Sequence, residues 1–173
     1  AAGDEGLVLT RAEAGWERMA SGTRSALYGL WGMDADHLLA VGDFGLVLRW
    51  NGSSWDEFSA GTEHFLFDVW GRALDDIHVV GLSGTLGHFD GQRWRITPAR
   101  ARNDLLAIAG DAGQLVAVGA GGAAMRHEGR RWEADVTGTT AGLRAVARGG
   151  AEGRFHAAGD GGTILVRRGD PAA

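Results

Sequence analysis

The chain has 173 residues, 45% of them hydrophobic, with 30 glycines, 2 prolines and no cysteine; this suits one globular unit rich in tight turns and excludes disulfides, thiolate metal sites and a cysteine nucleophile. A formal charge of -5, from 22 acidic and 17 basic side chains, argues against the cationic surface that nucleic-acid binding requires. No run approaches the roughly 18 apolar residues of a membrane helix, and Ala1–Gly6 lacks the charged and apolar regions of a signal peptide, so no membrane span is expected.

In chain order, residues 1–26 carry part of a repeating unit, with a turn between Gly3 and Gly6 and a strand opening at Trp16. Residues 27–65 show the whole unit. A first strand, Leu27–Trp31, leads into a Gly- and Asp-containing turn over Gly32–Asp36, and a second, Leu38–Val41, ends in the Gly-x-x-Gly turn of Gly42 and Gly45. A third strand runs from Gly45 to Trp50 and turns at Asn51-Gly52, a strong hairpin signal; the fourth runs from Trp55 to Ser59. Residues 66–104 repeat the pattern with Leu66–Trp70, Ile77–Val80, Gly84–Phe89, Asp90-Gly91 and Trp94–Thr97. Residues 105–142 repeat it more loosely, through Leu105, Gly119, Gly122, Glu128-Gly129 and Trp132, and 143–173 hold a last partial unit. The Gly-x-x-Gly turns suit two residues of positive φ, which glycine adopts without steric cost.

The period is strict. The first turn glycine recurs at Gly3, Gly42, Gly81, Gly119 and Gly159, with spacings of 39, 39, 38 and 40, and the tryptophan at Trp16, Trp55, Trp94 and Trp132. No segment has the spacing of an amphipathic helix. A four-stranded antiparallel unit of about 39 residues points to an all-β fold, a β-propeller array of four and a fraction blades, because such small sheets bury their faces only against neighbours. The alternatives are a β-solenoid, whose coils are usually shorter, and a β-sandwich, which keeps no such period.

Ala1-Ala2-Gly3-Asp4 recurs as Ala157-Ala158-Gly159-Asp160, and the strands expected number 17, one more than a ring of four four-stranded blades. The expectation is either a small ring with a redundant strand or a ring completed by further copies or further blades. An open array exposes strand edges that seek a neighbour.

The pattern Leu-x-x-Val-Trp-Gly, Asp-Asp, Val-Gly-x-x-Gly, Asp-Gly and Trp, clearest in Trp31-Gly32, Trp70-Gly71, Asp75-Asp76 and Asp90-Gly91, resembles the blade repeat of the photosystem II stability/assembly factor family and, more distantly, of Asp-box (BNR) and kelch propellers. The later units drift: Ala109-Gly110 and Ala147-Arg148 stand in place of Trp-Gly, Gly113 stands near the place of the paired Asp, and a strict Asp box is absent. The resemblance implies a binding or assembly scaffold, usually secreted or periplasmic.

The candidate chemistry is weighed residue by residue. The six histidines, His37, His64, His78, His88, His127 and His156, include no helical i, i+4 pair and no His-Glu-x-x-His, so no metal site and no cofactor are expected. His78 and His156 share one repeat position and read as ordinary strand residues. Asp34, Asp36, Asp75 and Asp76 read as turn residues capping their own backbone rather than as paired catalytic carboxylates. The glycine-rich turns lack the Lys and helix of a phosphate loop, and no Gly-x-Ser-x-Gly elbow occurs. The periodic tryptophans read as packing between units, with stacking on sugar rings as the alternative. The link from each fourth strand to the next first strand varies in sequence and shares a face with the Gly-x-x-Gly turn. Phe44, Glu63, His64, Phe65, Arg100, Arg102 and Asn103 on that face combine aromatic and charged groups suited to a partner. The expectation is a non-enzymatic module that binds a protein partner or further copies of itself; the alternatives are a glycan-binding, lectin-like propeller and a propeller hydrolase or lyase.

Overall fold

Short runs of β-branched and apolar residues between glycine-bearing turns can bury themselves only as small stacked sheets. A computed structural model describes residues 1–98, 103–129, 131–149 and 153–167. Among the described residues there are seventeen strands. β1 (Val8–Ala12) and β2 (Gly15–Met19) form a two-stranded sheet. Three four-stranded sheets follow in chain order: β3 (Leu27–Gly32), β4 (Leu38–Gly42), β5 (Val47–Trp50) and β6 (Trp55–Glu57); β7 (Leu66–Ala73), β8 (Asp76–Gly81), β9 (Thr85–Phe89) and β10 (Trp94–Pro98); β11 (Leu105–Gly110), β12 (Leu115–Gly119), β13 (Ala124–His127) and β14 (Trp132–Ala134). β15 (Leu143–Gly149), β16 (Arg154–Gly159) and β17 (Ile164–Arg167) make a three-stranded sheet. No helix among the described residues is long and apolar enough to cross a membrane.

The chain divides into two compact units, one of Ala1–Val79 with Leu86–Thr97, the other of Val80–Thr85 with Pro98–Ala173. In the first unit, alternate residues of β4 face opposite ways. Leu39 and Val41 pack with Val47 against Leu66, Val69, Ile77, Val79 and Phe89. Ala40 joins Val8, Leu27, Leu46 and Leu48 in a separate cluster. The β3–β6 sheet is therefore buried on both faces. In the second unit, Ala107, Val116, Val118 and Ala124 pack with Leu143, Phe155 and Ala157.

The periodic tryptophans divide by environment. Trp94 lies 5.4 Å from Phe89 and 5.9 Å from Phe58, ring centre to ring centre, against the core. Trp55 packs beside Trp50 and the Val8 cluster. Trp16, by contrast, is 60% exposed. Packing accounts for Trp55 and Trp94, as the repeat suggested, but not for Trp16.

The Gly-x-x-Gly turns are single turns of 3-10 helix, and their two glycines do different work. The positive φ values fall on the residue before the second glycine and on that glycine itself, as in Phe44 (51°) and Gly45 (72°). Three of these turn tips are not glycine at all: Glu5, Phe44 and Ser83. The first glycine is extended, with Gly42 at φ -165°, and what excludes a side chain there is space. A Cβ on Gly42 would stand 2.0 Å from the Ala26 carbonyl oxygen, and one on Gly45 would stand 2.0 Å from that of Thr62. Two linking loops, through Ala26 and through Thr62, thus press against the turn, the first held by Asp43 N–H donating to Ala26 O at 3.1 Å.

Candidate functional site

The chemistry of the first unit gathers in two places. The first is the turn face. β3 is bulged between Leu27 and Gly29, and a bulge re-aims the side chain it displaces. Tyr28, at that bulge, donates its hydroxyl to Asp43 Oδ1 at 2.8 Å, while Asp43 Oδ2 accepts from the Ala26 N–H at 2.9 Å. Donation to that carboxylate keeps the phenol protonated and raises its pKa. The same device recurs in the second unit, where Arg144, at the bulge of β15, pairs with Asp160.

Around Tyr28 the loop aromatics assemble. Phe65 lies 6.3 Å from Tyr28 and 5.1 Å edge-to-face from Phe44; Phe67 lies 5.6 Å from Tyr28. Phe44 is 68% exposed and occupies the left-handed tip of its turn. A bulky side chain in that conformation costs on the order of 1–2 kcal/mol, and two later turns carry glycine, Gly121 and Gly161, at the same place. Folding alone gives no reason for an exposed phenylalanine there.

Of the residues expected on a partner face, Phe44 and Phe65 are in contact, and Glu63 and His64 are exposed beside Phe65 in sequence. Asn103, in the second unit, is exposed and donates its side-chain amide to Ala120 O at 3.0 Å, pinning the turn tip. Arg100 and Arg102 lie outside the described residues. Nothing in the spacing places Tyr28 and Phe67 on the partner face, because the bulge that turns Tyr28 toward the loops leaves no mark there.

The second place is the end of the β7–β10 sheet away from the Gly81–Gly84 turn. Asp76 opens β8, and His78, two residues on, shares its face of the strand. His88 comes from β9. The His78 and His88 rings stack at 4.4 Å and 8°, and their Nε2 atoms lie 3.1 and 3.0 Å from Asp76 Oδ1. The other oxygen, Oδ2, takes Arg72 Nη1 at 2.6 Å, and the Arg72 guanidinium sits 5.9 Å over the Trp70 ring. Burial by itself would raise the Asp76 pKa. The charges of His78 and Arg72 and the hydrogen bond from His88 outweigh it and hold the carboxyl below its usual range.

Asp76 therefore departs from the backbone-capping role expected of the repeated Asp. Asp34 keeps that role, accepting from the Asp36 N–H at 2.9 Å, as Asp90 and Asp111 do in their own turns. The helical spacing test could not find the trio of Asp76, His78 and His88. The signal that could is the strand spacing of i, i+2 together with a histidine at the cross-strand position. His156, at the His78 position of β16, is exposed.

No family model and no curated protein matches the sequence. Solved structures do. The chain is similar to YCF48 from Cyanidioschyzon merolae, at 21% identity and a TM-score of 0.61, over 83% of this chain and 53% of that one. It is similar to YCF48 bound to D1 peptide, at 17% identity and a TM-score of 0.69, over 95% and 58%. It is similar as well to the RRP9 WD40 repeats, at 13% and 0.75, over 96% and 57%. These sheets are propeller blades. The chain has the β-propeller fold and spans rather more than half the length of those proteins. Its likeness to YCF48, a photosystem II assembly factor, accords with the resemblance seen in the repeat motif.

Proposed function

We propose that this propeller is a non-enzymatic binding module that takes a segment of a protein partner on the aromatic turn face of its first unit. The observation that carries the reading is Phe44: an exposed aromatic held in a strained backbone conformation and propped edge-to-face by Phe65. Exposed aromatics on a rigid frame provide large contact area at little cost in conformational entropy, which is why they dominate binding hot spots. Exposed Glu63 and His64 would supply the polar rim. A structure of the same fold holds a peptide, the D1 peptide on YCF48, so the fold has a precedent for binding a peptide. Packing of Trp55 and Trp94 against the core supports a protein segment over a sugar ring as the ligand.

A random peptide library displayed against the immobilised protein tests the reading. Enriched peptides should share an apolar anchor and lose at least about tenfold in affinity to the Phe44→Gly, Phe65→Ala double variant, since hot-spot side chains each contribute roughly 2 kcal/mol. Peptides that bind the double variant as tightly as the native protein would remove the face from consideration.

A further inference from the structure

The Asp76, His78 and His88 cluster lies outside the turn face and plays no part in the binding proposed there. Its oddity shows against the repeat. The place of His78 is filled by Leu39 in the preceding sheet and by Val116 in the following one, 1% and 4% exposed, and His78 is buried to the same degree at 3%. Packing at this position is thus satisfied by an aliphatic side chain. Burying an imidazole instead carries a desolvation cost, which the contact of His78 Nε2 with Asp76 offsets, so packing alone does not call for the histidine.

The three side chains converge through one ligand atom each, all within 4.8 Å of one another. In a tetrahedral site with bonds of about 2.0 Å, ligand atoms stand about 3.3 Å apart. The observed separations of 3.0 and 3.1 Å between Asp76 Oδ1 and the two Nε2 atoms are close to that edge. The third edge, between the two Nε2 atoms, is within 4.8 Å, and the rings, stacked at 4.4 Å and 8°, must tilt toward one another to aim both lone pairs at a single ion. Two imidazoles and one carboxylate make a donor set for a borderline divalent cation rather than for Ca2+ or Mg2+, which prefer oxygen. Arg72 holds Oδ2 and so directs Oδ1 toward the histidines, the orienting role that outer hydrogen bonds play around metal ligands. His88, with 38% of its side chain exposed, leaves the site open to solvent.

We propose that Asp76 Oδ1, His78 Nε2 and His88 Nε2 bind a divalent transition-metal ion of the zinc class, with the fourth position left to water or to a ligand from outside. The ion joins β8 to β9 and stabilises the sheet by the free energy with which it prefers the folded chain.

The test uses the full chain freed of metal by dialysis against a chelator, with Zn2+ as titrant in calorimetry and Co2+ as an optical probe. One saturable Zn2+ site is expected, with tetrahedral Co2+ absorption and a melting temperature that rises on adding Zn2+. His88→Ala and Asp76→Asn, each shown to be folded by circular dichroism, should weaken Zn2+ binding by about tenfold or more, because each removes one of three ligands. His156→Ala, on the exposed face of β16, should bind like the native chain. Equal Zn2+ affinity in His88→Ala, or no saturable binding by the folded native chain, would overturn the assignment and leave a hydrogen-bonded Asp-His-His cluster only.

Discussion

The β3–β6 and β7–β10 sheets share one frame, yet the same pair of positions is filled by Leu39 and Arg49, cross-strand partners on β4 and β5, in the first and by His78 and His88 in the second. The first choice satisfies packing and sends a cation to solvent. The second places two stacked imidazoles on a carboxylate. A second contrast lies at the turn tips: Phe44 in one, Ser83 in the next, with the backbone unchanged at φ 51° and 55°. In a repeat, the frame tolerates either occupant, so a costly occupant points to a use beyond folding.

The frame itself should be the easiest thing to break. Gly45→Ala puts a Cβ 2.0 Å from the Thr62 carbonyl oxygen at a φ of +72° and is expected to cost more than about 3 kcal/mol or to prevent folding, measured as the urea midpoint. A cost below about 1 kcal/mol would show that the loop over the turn can move aside. Exchanging the two sheets' choices comes next. Leu39→His buries an imidazole with no equivalent of Asp76 and should lose roughly 2–4 kcal/mol. His78→Leu should be near neutral in metal-free protein, since Asp76 keeps Arg72 and His88. Equal losses in the two exchanges would erase the contrast.

Phe44→Gly relieves the left-handed strain and gives up little buried area, so a gain of about 0.5 kcal/mol is expected. A clear loss of stability would mean that Phe44 serves the fold rather than a partner. The smallest effect concerns acid. The Asp76 pKa is depressed in the folded chain, so its contribution to stability is present above the unfolded carboxyl value of about 4 and is lost as the pH falls through the depressed value. Asp76→Asn should flatten that part of the curve of urea midpoint against pH between about 5 and 2. An unchanged curve would place the acid sensitivity elsewhere.

Much of this was legible along the chain. Strands, hairpins and blade repeat follow from residue spacing, because each blade is built from local pairings and one set of turn residues. Strand ends were less so: β7 runs on to Ala73 and β5 begins only at Val47, after the turn has consumed Gly45 and Leu46. Residue type suggests positive φ at the first turn glycine, whereas the reason for Gly42 is the close approach of Ala26, a contact 16 residues away that backbone propensity cannot register.

For the sites, Phe44 and Phe65 could be named from loop variation, since a repeat makes its exceptions visible. Their meeting with Tyr28 and Phe67, and the meeting of Asp76 and His78 with His88, depend on a bulge and on the pairing of adjacent strands. The sequence alone determined the period, the all-β blades and the turns, because those are local and repeated. Only the tertiary structure decided which exceptions touch one another, because side chains far apart along the chain come into contact when strands pair and sheets stack.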